Sequence, residues 1–526
     1  MNHRIAALSR IALFSIACTL AACAQGQTAP TRPAVVIAPE RVDLPAGVDP
    51  IGPQSGMYEG YAVGQVVRIV RYDDGPDGLN AVIALAPDIT EQVRRTRGLP
   101  LAGRTVLVKD NVETRELPTT AGSLALEGNM TGRDAPLIAR LRAAGGVVMG
   151  KTNLSEWANI RDGNSTSGWS AVGGLTRNPH AIDRNTCGSS SGSGAAVAAG
   201  FAWAAIGTET DGSITCPASV NGIVGFKPSI GIVSRTHVVP ISHSQDTAGP
   251  MTQTVRDAAM LLGAIAGPDP LDRATLDAPK ATIDYAAALD GATLQGKRIG
   301  VLTNAIGNDR RVKAVFDQAV ADMEAAGAVI VPIDFEPQGE MYSAELTVLL
   351  YELRTDMDAY LQGLPGKNLP RSLADLVAFN KANADKEMRW FGQSLFEQAL
   401  GTTDEDAYRQ ARALSERLAG KEGIDKLLAE NDVVALIAPT VGPAWTSDLV
   451  NGDHYNGSIG AGSLAAIAGY PHLTVPMGAV EGLPVGLSFM GTKWQDAEIL
   501  RLGAAYEKAR TAALPTPRFR RWSGND

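Results

Sequence analysis

The serines are where the sequence first offers chemistry. Gly188-Ser189-Ser190-Ser191-Gly192 fits G-x-S-x-G with Ser190 at its centre, the turn that lifts a nucleophilic serine between a strand and a helix. The strand is missing, because the preceding Ala181-Ile182-Asp183-Arg184-Asn185-Thr186 is too polar to be buried. A Ser-His-Asp hydrolase is therefore poorly supported, yet any serine nucleophile needs a base within hydrogen-bond reach. The six histidines stand at 3, 180, 237, 243, 454 and 472, with no H-E-x-x-H and no pair at metal-ligand spacing, which leaves a zinc hydrolase unsupported. Lysine is the next candidate base. Lys109 closes the run Val106-Leu107-Val108, at the end of a buried strand, where desolvation disfavours the ammonium and lowers its pKa. A neutral lysine is a competent base; the same side chain could instead be held by a carboxylate such as Asp110, and the residues alone leave both open.

A second literal match is set aside. Gly145 to Thr152 fits the phosphate-loop pattern G-x-x-x-x-G-K-[ST], but a phosphate cradle follows a strand and opens a helix, whereas here Gly145 follows a helix and Val147-Val148-Met149 is itself strand-like. Gly192-Ser193-Gly194 lacks the third glycine of a dinucleotide fingerprint. No metal and no organic cofactor is expected.

The elements that must position these residues alternate. A helix through Leu137, Ile138 and Leu141, with Asp134 as its cap, stops at Gly145-Gly146 and leads into Val147-Val148-Met149. A second unit begins with the strand Thr105 to Val108; a third runs strand 298–302, helix 311–326, strand 329–333. Residues 336–432 read as mostly helical, and the tail returns to strands near 433–437 and 473–475 before a helix near 496–509 capped by Asp496. Alternating units of this kind imply an α/β protein with a largely parallel or mixed sheet covered by helices, and the length by itself leaves open three domains or one continuous sheet.

Composition narrows the partners. The 526 residues are 45% hydrophobic and 20% charged, enough for a sizeable core, and the net charge of −9 offers no basic surplus for nucleic acid. Residues 1–22 carry His3, Arg4 and Arg10 and then an apolar run from Ile11 to Ala22, too short to span a bilayer and shaped like an export signal. Leu20-Ala21-Ala22-Cys23 resembles a bacterial lipoprotein signal, which would make Cys23 the lipid attachment point; an ordinary secretory cut after Ala24 is the alternative. A Pro-rich tether follows over 23–56. The expected location is the bacterial cell envelope or periplasm, with membrane contact only through that anchor. Beyond the leader, only Cys187 and Cys216 remain; they read as small buried hydrophobes, with a disulfide open to them in an oxidising compartment.

The informative stretch is 150–228: Gly150-Lys151-Thr152-Asn153-Leu154-Ser155-Glu156-Trp157, then Cys187 to Gly194, then Gly207-Thr208-Glu209-Thr210-Asp211-Gly212-Ser213, then Gly225-Phe226-Lys227-Pro228. Val108-Lys109-Asp110-Asn111 lies upstream, Gln245-Asp246-Thr247-Ala248-Gly249-Pro250-Met251 downstream, and Ala468-Gly469-Tyr470-Pro471 and Gly482 to Leu487 near the end. Over about residues 60–510 the chain resembles the amidase signature family, and within it the bacterial peptide amidases, which remove the C-terminal amide of peptides.

The resemblance implies the amidase signature fold, a single large αβα sandwich over 57–526 with a mixed, largely parallel central sheet covered by helices, and a serine-serine-lysine triad. Ser213 would be the nucleophile, Ser189 the relay serine after a cis peptide bond, and Lys109 the base. Backbone N–H groups of Thr210, Asp211, Gly212 and Ser213 would form the oxyanion hole. Asp211 stands where the family commonly has glycine and is a candidate for binding substrate; Cys187 and Ser191 also replace glycines. The implied activity is hydrolysis of a small amide or amidated peptide through an acyl-enzyme. A broad acyl or aryl amidase is the alternative within the family, and an ammonia-supplying component of a transamidating complex fits poorly with an export signal. An envelope lipoprotein that only binds peptides would be expected to lack at least one of Lys109, Ser189 and Ser213, and all three are present. Nothing in the sequence speaks to oligomeric state.

Overall fold

The computed structural model describes residues 55–96, 98–279 and 283–524. The expected leader, Cys23 and nearly all of the tether lie outside the described residues. The strands in chain order are β1 (Val82–Leu85), β2 (Thr105–Lys109), β3 (Val147–Thr152), a small ribbon of β4 (Trp169–Ser170) and β5 (Gly174–Leu175), β6 (Ala204–Glu209), β7 (Val224–Lys227), β8 (Thr247–Thr252), β9 (Arg298–Leu302), β10 (Val329–Ile333), β11 (Ala435–Pro439), β12 (His472–Val480) and β13 (Leu483–Met490). All but the ribbon join one 11-stranded sheet in the order β1-β3-β2-β6-β8-β7-β12-β13-β11-β9-β10. The sheet is mixed. Parallel pairing is confined to β3-β2-β6 and β11-β9-β10, the blocks that contain the αβ units, and the other six pairings are antiparallel.

Strand alternation explains why both faces need helices. On β2, Val106 and Val108 point into one core with Ile206, Leu137, Ile138, Leu141 and Leu262, while Leu107 points into another with Ala205, Met149, Ala195, Ala196 and Phe201. The first face is covered by α1 (Pro136–Ala143), α4 (Val255–Ile265), α5 (Arg310–Ala325) and α7 (Asp496–Ala509); the second by α2 (Ser191–Ala198) with α3 (Thr215–Val220) beside it. In α2, Ser191 to Val197 are all buried, as its run of small residues permits. A helical layer lies over 339–431: α6 (Gly339–Gln362), then Leu373–Ala382, Ser394–Gly401 and Glu405–Glu416. No described helix is long and apolar enough to cross a membrane.

Two expected caps are corrected. The first helix is capped by Ala135 and opened by Pro136, whose fixed φ suits a first turn; Asp134 instead accepts from Arg115 N at 3.0 Å and pairs with Arg142 at 3.1 Å. In the last helix Gln495 is the N-cap. The Asp496 carboxylate is occupied by Ser229, through its N–H at 2.7 Å and its hydroxyl at 2.6 Å, tying the helix to the segment after β7.

The helical layer is fastened to the sheet by Arg161, which is fully buried. Its guanidinium pairs with Glu156, lies 3.6 Å from Glu387, donates to the Gly392 carbonyl at 3.0 Å and sits 4.2 Å from the Phe391 ring centroid. Arg161→Ala strands two buried carboxylates, so unfolding in urea should show a loss of about 3–5 kcal/mol.

Candidate active site

Lys109 is the last residue of β2 and has no exposed surface. Its Nζ lies 2.8 Å from Ser189 Oγ, 2.8 Å from Thr208 Oγ1 and 3.1 Å from the Thr208 carbonyl. Asn111 Nδ2 donates to the same Thr208 hydroxyl at 2.9 Å, fixing that rotor. Burial lowers the Lys109 pKa to about 7, against the opposing pull of the Asp246 and Glu209 carboxylates. The alternative left open by the sequence, Lys109 held by Asp110, does not occur. Asp110 pairs with Lys151 at 3.0 Å and accepts from Thr120 N at 3.1 Å. Lys151 lies within β3 and also donates to the Val112 carbonyl and the Thr119 hydroxyl, each at 2.8 Å. The phosphate-loop lookalike is thus a strand with a structural lysine.

Ser189 follows a cis Gly188–Ser189 peptide bond. Its carbonyl accepts from Ser155 N at 3.0 Å. Gly188 packs so closely that a Cβ there would lie 2.1 Å from Ser155 Oγ. Ser190, central in the G-x-S-x-G match, has a bridging role: its hydroxyl donates to the Thr208 carbonyl at 3.1 Å and accepts from Thr208 N at 3.2 Å. Ser191 Oγ donates to the Cys187 carbonyl at 2.6 Å.

Ser213 stands between β6 and α3. Its carbonyl accepts from Ser190 N at 3.1 Å, which brings the two serine segments side by side. The turn is shaped by Gly212 at φ 73° and held by Glu209, whose carboxylate accepts from Ile214 N at 2.7 Å and Thr215 N at 2.9 Å. Among the described residues, no acceptor engages the N–H groups of Asp211, Gly212 and Ser213. Asp211 is exposed, and Ser463 Oγ donates to it at 2.7 Å. Crowding by protein atoms, with the Glu209 charge, pushes Asp211 up to about 6, against that hydrogen bond.

Sequence reasoning assigned no role to Thr208, Asn111, Glu209, Gln245 or Asp246. Asp246 accepts from Thr210 Oγ1 at 2.6 Å, Ile241 N at 2.8 Å and Ser242 N at 2.9 Å, and burial pushes it up to about 6. Gln245 Nε2 donates to the Thr210 carbonyl at 3.3 Å and to Glu345 at 2.9 Å; burial and the Asp211 charge push Glu345 up to about 8. The only sequence signal for these groups was their place in the quoted motifs, where Glu209 sits five residues before the N–H it caps.

Cys187 and Cys216 do not pack as separate thiols. They form a disulfide with Cα atoms 6.0 Å apart, beside Val220, Val441, Ala444 and Trp445. The buried histidines sit elsewhere: His180 Nε2 is 3.0 Å from the Asn221 carbonyl and His472 Nε2 is 2.6 Å from Ser488 Oγ. Among the described residues, one cluster brings an imidazole and two carboxylates together, His243 with Glu352 and Asp356. Glu352 already accepts from Ser242, Ser244 and Tyr408, so the cluster fastens the 241–246 loop to α6.

A family model described as Amidase matches residues 79–500. A probable amidase of Arabidopsis thaliana is 38% identical over 466 residues, covering 84% of this chain and 85% of the relative. Among solved structures, the native peptide amidase from Stenotrophomonas maltophilia superposes with a TM-score of 0.83 at 46% identity, over 90% of this chain and 98% of that one. A peptide amidase in complex with the competitive inhibitor chymostatin gives 0.85 at 46% identity, over 90% and 99%. With the mixed sheet and its helical cover on the same pattern, this chain belongs to the amidase family and is an enzyme that hydrolyses amide bonds.

Proposed function

We propose that this amidase is exported to the cell envelope and releases ammonia from the C-terminal carboxamide of peptides, with Ser213 as nucleophile, Ser189 as relay and Lys109 as base. The observation that carries the chemistry is the 2.8 Å contact between the buried Lys109 amine and Ser189. The peptide preference rests on the 46% identity to the peptide amidases over 90% of the chain.

The steps follow from the protonation states. Neutral Lys109 accepts the Ser189 proton as Ser189 accepts that of Ser213, whose oxygen attacks the amide carbon. The charge that develops on the carbonyl oxygen meets the N–H groups of the 210–213 turn, each such donor being worth about 3 kcal/mol in comparable sites. Ser189 then passes the proton taken from Ser213 to the departing nitrogen and regains its own from Lys109, so that ammonia leaves an acyl-Ser213 and the lysine is neutral again. Water activated through the same relay hydrolyses the ester. In this reading Asp211, in the same turn and open to solvent, accepts an N–H of the substrate.

Three outcomes follow. Ser213→Ala should lower ammonia release from amidated dipeptides by on the order of 10³-fold or more while keeping the fold, and a serine-directed fluorophosphonate should label Ser213 alone in the parent. Each described histidine should be replaceable without loss of the chemistry. On a panel of substrates, amidated peptides should exceed simple acyl and aryl amides in kcat/KM; the reverse ranking would favour the broad amidase.

The pH profile tests the base. Its active form is neutral, so kcat/KM should fall as pH drops through about 7, the lowered Lys109 value. The Asp246 carboxylate favours the ammonium, so Asp246→Asn should move this limb to lower pH. Asp211→Asn should leave it in place; a limb that moves with Asp211→Asn and not with Asp246→Asn assigns the titration to Asp211 and removes Lys109 from the role of base.

For location, labelling cells with a radioactive fatty acid should mark the protein through Cys23, and Cys23→Ser should abolish the label and shift the enzyme from the membrane fraction. An unlabelled parent found free in the periplasm would replace the lipoprotein signal by an ordinary secretory one.

A further inference from the structure

The segments that carry the two serines are joined by hydrogen bonds: from Ser190 N to the Ser213 carbonyl at 3.1 Å, between the Ser190 hydroxyl and Thr208, and from Asn221 Nδ2 to the Thr186 carbonyl at 3.1 Å. One covalent tie is added, the disulfide from Cys187, two residues before Ser189, to Cys216, three residues after Ser213. Hydrogen bonds stretch and open, so segments joined by them alone can rock; a covalent tie before the relay serine and after the nucleophile restricts that motion further. Proton relay between two hydroxyls tolerates little such rocking, since a misplacement of about 1 Å at a reacting group can cost a hundredfold in rate.

The backbone at Cys187 points the same way. Its φ is 54°, left-handed backbone that glycine adopts freely and other residues resist. A side chain is nevertheless kept there, in a conformation fixed by Cys187 N donating to Asn185 Oδ1 at 2.7 Å and by the Cys187 carbonyl accepting from Ser191 Oγ at 2.6 Å. What cysteine supplies at a position suited to glycine is the bond to Cys216. Cys187 is buried with Val220, Val441, Ala444 and Trp445, and the half-buried Cys216 packs against the same group.

We propose that Cys187 and Cys216 are positioning residues of the active site: their disulfide holds the relay serine in register with the nucleophile, and losing it slows acyl transfer more than it weakens substrate binding. The inference rests on the assignment of Ser189 and Ser213 made above. It also makes full activity depend on an oxidising environment, in keeping with the proposed export.

The test compares the parent with Cys187→Ser/Cys216→Ser at about 15 °C, with folding checked by circular dichroism and the thermal midpoint recorded separately. The expected result is a drop of tenfold or more in kcat and in the single-turnover acylation rate on an amidated dipeptide, with KM within about twofold. A bond that only stabilises would lower the midpoint and leave kcat within twofold of the parent, which would overturn the proposal. Should the double variant not fold, the parent is treated with dithiothreitol, which gives two electrons and two protons to the S–S bond and becomes a cyclic disulfide. The freed thiols are alkylated and both sites confirmed by peptide mass. Slowed acylation, restored when oxidised glutathione is added before the alkylating agent, supports the proposal; undiminished acylation with both cysteines alkylated refutes it. Ser213→Ala is assayed alongside. If that variant stays active, the triad assignment has failed; if it is dead while the bond-free enzyme keeps its rate, only the role of the disulfide has failed.

Discussion

The burial of one ammonium group governs most of what surrounds it. Lys109 has no exposed surface, and an amine so placed is costly to charge unless acceptors surround it. The chain provides two hydroxyls and a carbonyl, from Ser189 and Thr208, which suit the neutral amine and its conjugate acid alike. Among the described residues no carboxylate touches it; Asp246 and Glu209 act from a distance, and the balance comes out at about 7. A direct ion pair would keep the lysine charged and unfit for the base role proposed for it, so the pairing of Asp110 with Lys151 is part of the same arrangement.

Three fully buried lysines make the point by contrast. Lys151 is ion-paired with Asp110 and serves structure. Lys227 donates to the Tyr470 carbonyl at 2.5 Å, and burial lowers it to about 8 against Glu209, Asp496 and Asp211. Lys109 alone of the three touches a serine of the Gly-rich cluster. Burial is common to all of them, so the chemistry is set by the partner and not by the depth.

This bears on what the sequence could disclose. The strand ending at Lys109 was legible because Val106-Leu107-Val108 is buried on both faces, and so were the αβ units whose apolar spacing fits one element at a time. The assignment of Asp110 was not legible: which neighbouring lysine a carboxylate meets depends on β2 and β3 lying parallel, with Val108 beside Lys151. The true caps near Asp134 and Asp496 are not legible for a similar reason, since each acid is taken up by partners distant in sequence, Arg115 and Ser229 among them. The serine cluster was visible, but whether Ser189 or Ser190 faces the lysine turns on backbone geometry that composition does not encode. The disulfide depends on two segments 29 residues apart in sequence being brought together by the fold, and the sequence offers it only as an option open in an oxidising compartment.

The mixed character of the sheet is what assembles the site. β2 and β6 are parallel neighbours, with Val108 opposite Ile206, so the chain leaves both strands at the same edge and Lys109 arrives beside Thr208. β8 runs antiparallel to β6, with Thr247 opposite Glu209, so it begins where β6 ends and delivers Asp246 to that edge. Were β8 parallel, Asp246 would lie at the opposite edge and Lys109 would lose the charge that keeps its pKa from falling further. Ligands in α/β proteins gather at the C-terminal ends of parallel strands. Here one reversed strand adds the beginning of a third segment to that place, and the lysine is tuned from a strand that need not carry a reacting group.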